Sequence, residues 1–268
     1  MKISIAFLFI CLLVPSLVSF SPKKREAPSG TVYVEPGKYI DQVPVNSYQY
    51  NEFVTSVKTL WSVKLSDSLK NIPKYNLANT DIGRMLLTGT SQWVDKELIK
   101  KAAISKELGI IGANPTYFYY THQEFYQYPM VNVTMQQAKL YCRWKSDMLM
   151  LTYAFGSEDE KDRKKYFEEV NFRLPTADEW SKANFLNLKS MKARELTSTG
   201  VRTFPIIVTK KDKGKFVHYP FNVSEMTAEP YEAIGLSWKD TEEFITDLIQ
   251  EYKGPQQWLG FRCLCEVN

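Results

Sequence analysis

Two helix starts lie within the stretch from Tyr128 to Trp180, and they constrain this chain more than any other feature. Thr134 with Gln137, and Thr176 with Glu179, have the spacing at which an N-cap hydroxyl and the side chain three residues on satisfy each other's orphan backbone donors. Between them, Met135, Ala138 and Cys142 recur at helical spacing, which turns Cys142 toward a core. These residues describe architecture. The stretch holds no acid/base pair, metal cluster or phosphate loop, so chemistry must be sought elsewhere or denied.

With 268 residues, 44% of them apolar and 14% aromatic, the chain is long enough to bury one sizeable core. Residues 1–19 read as a secretory signal peptide, because Lys2 precedes an apolar run from Ile3 to about Val18 and the small residues Ser19 and Ser21 follow. Pro15 interrupts the run, which is also short for a bilayer, so no membrane span is expected after cleavage. Cys11 lies inside the run without small residues before it, unlike a lipid-modified cysteine. Residues 20–30 read as a polar tether, and 31–268 as one domain.

Export changes the meaning of the cysteines. Cys142, Cys263 and Cys265 remain, and an oxidising compartment favours one disulfide plus one leftover thiol. A metal site would need more ligands than these and the widely separated His122 and His218 readily supply. The net charge of +4 is too mild to imply nucleic acid. The basic clusters Lys23 to Arg25, Lys161 to Lys165 and Lys210 to Lys215 are separate, and the last two are interleaved with acids. Solvated surface is favoured over a polyanion patch.

Thr31 to Val34 and Lys38 to Asp41 have strand character around a Pro36-Gly37 turn. Asn46 and Gln49 predict a further capping box, with Val45 and Tyr50 as its hydrophobic staple and Tyr50, Phe53, Val54, Val57 and Trp61 as the apolar stripe. A helix is expected from about Asp95 to Leu108, strands over Val201 to Val208 and Val217 to Val223, and a turn at Lys210 to Lys215. A last helix is expected from about Asp240, capped with Glu243, carrying Phe244, Leu248, Ile249 and Tyr252 up to Gly254-Pro255. The aromatic run Tyr117 to Tyr128 could line a groove but is more often core, and His122 within it has no partner in view. Glu158 to Lys165 mixes acids with bases and lacks EF-hand spacing, which favours a solvated helix or loop. The sequons at Asn132 and Asn222 fall inside the fold and read as structure.

Taken together, the motifs resemble the formylglycine-generating enzyme, or sulfatase-modifying factor, superfamily, which includes gliding-motility and secretion lipoproteins. Asp41, Val45, Tyr50 and Phe53 fit its opening pattern, with Pro44, Asn46 and Ser47 departing from it. Tyr128 to Thr134, Ala138 and Tyr141-Cys142-Arg143-Trp144 resemble its Tyr-Pro-Val-x-x-Val-Ser, Ala and Tyr-Cys-x-Trp run. Arg173 to Trp180 is close to Arg-Leu-Pro-Thr-Glu-Ala-Glu-Trp, the most specific piece. Asn222 to Met226, Gly235 to Trp238 and Gly260 to Cys263 follow in the family's order.

The resemblance implies a single compact α+β domain of C-type-lectin-like character with much irregular structure. It also implies a disulfide between Cys142 and Cys263, leaving Cys265 free. The family's oxidase holds copper with two cysteines between its Gly-Gly-Ser-Trp and Gly-Phe-Arg motifs, and here Lys239 to Leu259 contains none, so copper is not expected. The ergothioneine-synthesising relatives take iron from histidines of another domain, which this chain lacks. A family calcium site would fall on the Val223 carbonyl and Glu225, although Phe221 and His218 stand where glycine and Asn belong.

The expected function is that of an exported, non-catalytic member of this superfamily: a structural or protein-interaction component at a bacterial envelope, periplasmic or secreted, with envelope proteins as partners. The alternatives are an oxidoreductase or other enzyme of altered chemistry using Glu225, His122 and Arg262, or a glycan- or peptide-binding module using Tyr119 and Tyr126.

Overall fold

A computed structural model describes residues 25–60, 119, 123–187, 203, 205–240 and 249–268. The signal peptide, the helix expected over 95–108, His122 and residues 241–248 lie outside these. The chain opens with the expected hairpin, β1 (Thr31–Glu35) and β2 (Lys38–Asp41), antiparallel around Gly37 at φ 76°. A turn with positive φ suits glycine because a side chain there meets its own backbone. Arg25 and Glu26, from the segment read as tether, bond to the Asn268 and Lys165 carbonyls at 3.0 and 3.4 Å.

Helix α1 (Ser47–Leu60) begins as its sequence dictates. Asn46 Oδ1 accepts from Gln49 N at 2.9 Å, and Gln49 Oε1 accepts from Asn46 N at 3.0 Å. The long helix α2 (Met135–Phe155) carries the Thr134–Gln137 capping box, which satisfies two donors that the first turn would otherwise leave orphaned. These two helices bring Tyr50, Phe53, Tyr141 and Trp144 together, with ring centroids 5.3–5.9 Å apart. Phe53 is fully buried there, so truncating it to Ala would cost about 3–5 kcal/mol.

After α2 come a short helix α3 (Glu160–Arg163), strand β3 (Val170–Arg173) and helix α4 (Ala177–Asn187). Arg163, read from its charged neighbours as solvated, is instead 5% exposed. Its guanidinium lies 5.5 Å from the Tyr153 ring centre and donates to the Phe167 carbonyl at 2.8 Å, contacts that a planar, delocalised cation can make inside a protein.

The second half contributes β4 (Ser224–Met226), β5 (Glu232–Ile234), β6 (Ile249–Glu251), β7 (Leu259–Gly260) and β8 (Leu264–Val267). One antiparallel sheet runs β1-β2-β8-β3 and a second runs β6-β5-β4-β7, where only the β4–β7 pair is parallel. α2 packs on β3, and α4 touches both β1 and β5, which joins the two sheets into one compact α+β domain. None of the described helices is long and apolar enough to cross a membrane.

Two expectations fail here, while the start of the helix expected from about Asp240 lies in residues 241–248, outside the described residues. Ile249 to Glu251 is a strand paired with Glu232 to Ile234, because edge pairing decides a segment too short for helical periodicity to discriminate. Asp240 Oδ2 accepts from Ser237 N and Oγ at 2.7 and 2.8 Å, closing a turn with the residues before it. Within 205–208 and 217–223 the backbone is irregular. Ile206 N bonds Gln127 O and Val217 N bonds Gln42 O, isolated contacts that build no ladder.

Candidate functional site

The crossing from β7 to β8 is three residues long, Phe261-Arg262-Cys263, and each residue ends in a different neighbourhood. Phe261 joins the aromatic cluster, 5.4 Å from the Tyr141 ring. Arg262 turns between the sheets. Cys263 meets helix α2.

Arg262 has no solvent exposure, yet all five of its N–H donors have acceptors. Nη2 donates to Glu225 Oε1 at 2.6 Å and to the Val217 carbonyl at 3.0 Å, and Nε donates to Glu225 Oε2. Nη1 donates to the Asp41 and Gln42 carbonyls at 3.0 and 3.2 Å, at the end of β2. The guanidinium also lies 3.8 Å from the Phe216 ring centre. Glu225 is equally buried, and its Oε2 accepts from Trp180 Nε1 at 2.9 Å while His218 Nδ1 stands 3.5 Å from Oε1. Burial alone would raise the Glu225 carboxyl, but the Arg262 guanidinium, aided by His218, outweighs it and holds the group down at about 2. The result is a neutralised latch whose arginine and carboxylate have no solvent exposure. A carboxylate committed to a bidentate arginine makes a poor general base.

The Arg173-Leu-Pro-Thr-Ala-Asp-Glu-Trp180 segment works on both sides of this latch. Arg173 in β3 clasps Glu179 at 2.7 and 2.8 Å, and Glu179 Oε2 also accepts from Thr176 N at 2.9 Å. Burial again opposes ionisation of Glu179, yet Arg173, Lys38 and the cap hold it well below the usual carboxylate range. Trp180, the next residue, is fully buried and reaches Glu225.

Cys263 Sγ lies 3.0 Å from Cys142 Sγ, and both are free thiols in this structure. The resemblance therefore names neighbours correctly, without the expected bond between them. Asp41 braces the pair: its N–H donates to the Cys263 carbonyl at 2.8 Å, and its Oδ2 accepts from Cys263 N at 3.0 Å. Asp41 Oδ1 in turn takes Lys145 of α2, whose ammonium sits 4.7 Å from the Phe172 ring centre. Burial pushes the Cys263 and Cys265 thiols up, so neither is a thiolate at neutral pH.

The remaining candidates are dispersed. Val223, 2% exposed, lies two residues before Glu225 in the chain, and the Glu225 carboxylate faces Arg262, Trp180 and His218. No group of three metal-binding side chains occurs among the described residues. Tyr119 donates to the Pro129 carbonyl at 2.7 Å and packs against Phe125 and Tyr128, while Tyr126 pairs with Tyr48 at 5.3 Å. A surface groove of about 670 Å³ is lined by Glu229, Pro230, Tyr231, Glu232, Ile249, Glu251, Tyr252 and Lys253, and none of the candidates lines it. His122 lies outside the described residues. Sequence reasoning missed Trp180, His218 and Lys145 as partners; Trp180 enters only as the last residue of its motif and His218 only as a departure from the family's calcium site, and Lys145 carries no signal.

Residues 14–189, about two thirds of the chain, match the sulfatase-modifying factor enzyme 1-like domain. The chain belongs to that family. No curated protein matches it. The later sulfatase-modifying-factor motifs fall beyond the matched residues, yet the structure ties them to it at three points. Trp180 bonds Glu225, Val45 N bonds the Phe261 carbonyl at 2.9 Å, and Cys142 meets Cys263.

Proposed function

We propose that this protein is an exported, non-catalytic member of the sulfatase-modifying-factor family. On this reading it serves as a structural or protein-interaction component at a bacterial cell envelope. One observation carries the reading: the interval Lys239 to Leu259, where the family's copper-holding cysteines are expected, contains no cysteine. The cysteines that remain in the domain do not fit copper either. Cys142, Cys263 and Cys265 are buried, burial raises the Cys263 and Cys265 thiols, and the sulfur of Cys265 turns to the Glu266 carbonyl. The cluster best placed for acid/base work, Glu225 with Arg262 and His218, is saturated by its own partners.

In an oxidising compartment the adjoining thiols of Cys142 and Cys263 would close a bond and brace the scaffold. The test is direct. The purified chain should bind Cu(I) no more tightly than its Cys142→Ala variant, and should leave a cysteine-containing sulfatase-type peptide unconverted. Stoichiometric copper retained against a chelator, or a formylglycine product by mass spectrometry, would overturn the proposal.

A further inference from the structure

The loop over residues 206–215 carries two kinds of exposed side chain that neither the core nor the latch explains. Ile207 and Val208 are 52% and 42% exposed. Lys210, Lys211 and Lys213 follow as exposed residues and Lys215 as a half-buried one. The loop is pinned from several sides. Ile206 is buried and its N–H donates to the Gln127 carbonyl at 2.9 Å, while Tyr219 donates its hydroxyl proton to the Ile207 carbonyl at 2.9 Å. Thr209 N and Oγ donate to Asp212 Oδ2 at 2.9 and 2.6 Å, around a short 3-10 turn over Lys210–Asp212. The Gln42 side chain donates to the Asp212 carbonyl. The single acid of the loop is thus engaged internally, and its shape is set before any partner arrives.

A lone exposed aliphatic residue is ordinary, and a lysine cluster alone is solvated surface. An adjoining aliphatic pair and four lysines on one braced loop call for a partner that offers negative charge and an apolar phase within a few ångströms of each other. Nucleic acids and acidic glycans supply only the charge. A bilayer of anionic phospholipid supplies both. We infer that this loop docks on an anionic phospholipid surface, with Ile207 and Val208 entering the boundary between headgroups and acyl chains and the lysines lying among the phosphates. This inference does not depend on the absence of catalysis: copper binding would overturn that reading and leave this one standing.

The test measures partitioning of the full chain onto vesicles of phosphatidylcholine and onto equal mixtures of phosphatidylcholine and phosphatidylglycerol. The apolar run of residues 3–18 gives a charge-independent background, so the ratio between the two vesicle types is the readout. Each lysine near an anionic surface contributes about fivefold, so the ratio should exceed about tenfold in low salt and collapse when Lys210, Lys211, Lys213 and Lys215 are changed to Gln. Ile207→Ser with Val208→Ser should weaken binding to the mixed vesicles about tenfold. Thermal melts should be unchanged in both variants, because the substituted side chains are largely exposed. Equal partitioning onto the two vesicle types would overturn the inference. So would serine variants that bind like the parent while heparin displaces both, because that result identifies a general polyanion site.

Discussion

Arg262 and Glu225 meet with neither side chain exposed to solvent, Nη2 standing 2.6 Å from Oε1, and they hold β4 to the crossing between the two sheets. Removing one partner strands a charge, which is costlier than removing both. Arg262→Met should therefore destabilise the protein by about 3–5 kcal/mol in urea denaturation, and Arg262→Met with Glu225→Gln should lose less than the sum of the two single changes. Additive losses would show that the two residues stabilise the fold separately.

Acid should act through the same carboxylate. Glu225 titrates at about 2 in the folded protein and near 4.5 when unfolded, so the folded state holds that proton more weakly. The corresponding stability, on the order of 3 kcal/mol, is complete above about pH 5 and is lost as the pH falls toward 2. Glu179, also depressed, adds to the loss in the same direction. Melting temperature followed from pH 7 to pH 2 should fall steeply at the acid end. Glu225→Gln should flatten that fall; an unchanged slope would assign the acid sensitivity elsewhere.

Local chemistry in this chain was legible at three helix starts where a backbone donor and its partner are three residues apart, but not at Thr209–Asp212 or Ser237–Asp240, where the same spacing closes a turn. The boxes at Asn46, Thr134 and Thr176 all form, because each is closed by side chains already in position when the helix turns. The β1–β2 hairpin and the core position of Cys142 follow from the same short-range logic. The latch was not legible. Glu225 finds Arg262 and Trp180 across 37 and 45 residues, and spacing along the chain says nothing about pairs that only the crossing of two sheets creates. Ile249 to Glu251 failed for a related reason: three residues cannot declare a period, and β5 decided their conformation.

Gly235 offers a sharper probe of the latch's surroundings. Its φ of 89° is one that L side chains rarely adopt, and a Cβ there would stand 2.9 Å from His218 Cε1 and 3.4 Å from Trp180 Cζ2. Gly235→Ala should cost about 2–4 kcal/mol, combining backbone strain with overpacking against two buried rings. Gly254, at φ 68° with nothing within 4 Å, isolates the backbone component, and Gly254→Ala should cost only about 1 kcal/mol. Equal losses at the two sites would mean that the packing around His218 yields.

The two sulfurs of Cys142 and Cys263 need to approach by only about 1 Å to reach bonding distance, and they link helix α2 to the start of β8 across 121 residues. Cys265, two residues on, shares the same buried cluster, but its sulfur turns to the Glu266 carbonyl at 3.7 Å while Cys142 and Cys263 meet each other. Oxidation should therefore join Cys142 to Cys263 and leave Cys265 as the thiol. Peptide mapping after alkylation in denaturant should find Cys265 labelled in both oxidised and reduced protein, and Cys142 and Cys263 labelled only after reduction. Closing so long a loop in the unfolded chain should stabilise the oxidised form by about 4–5 kcal/mol. Dithiothreitol should then lower the melting temperature of the parent and leave Cys142→Ala unaffected. A linkage that maps to Cys265 would refute the pairing.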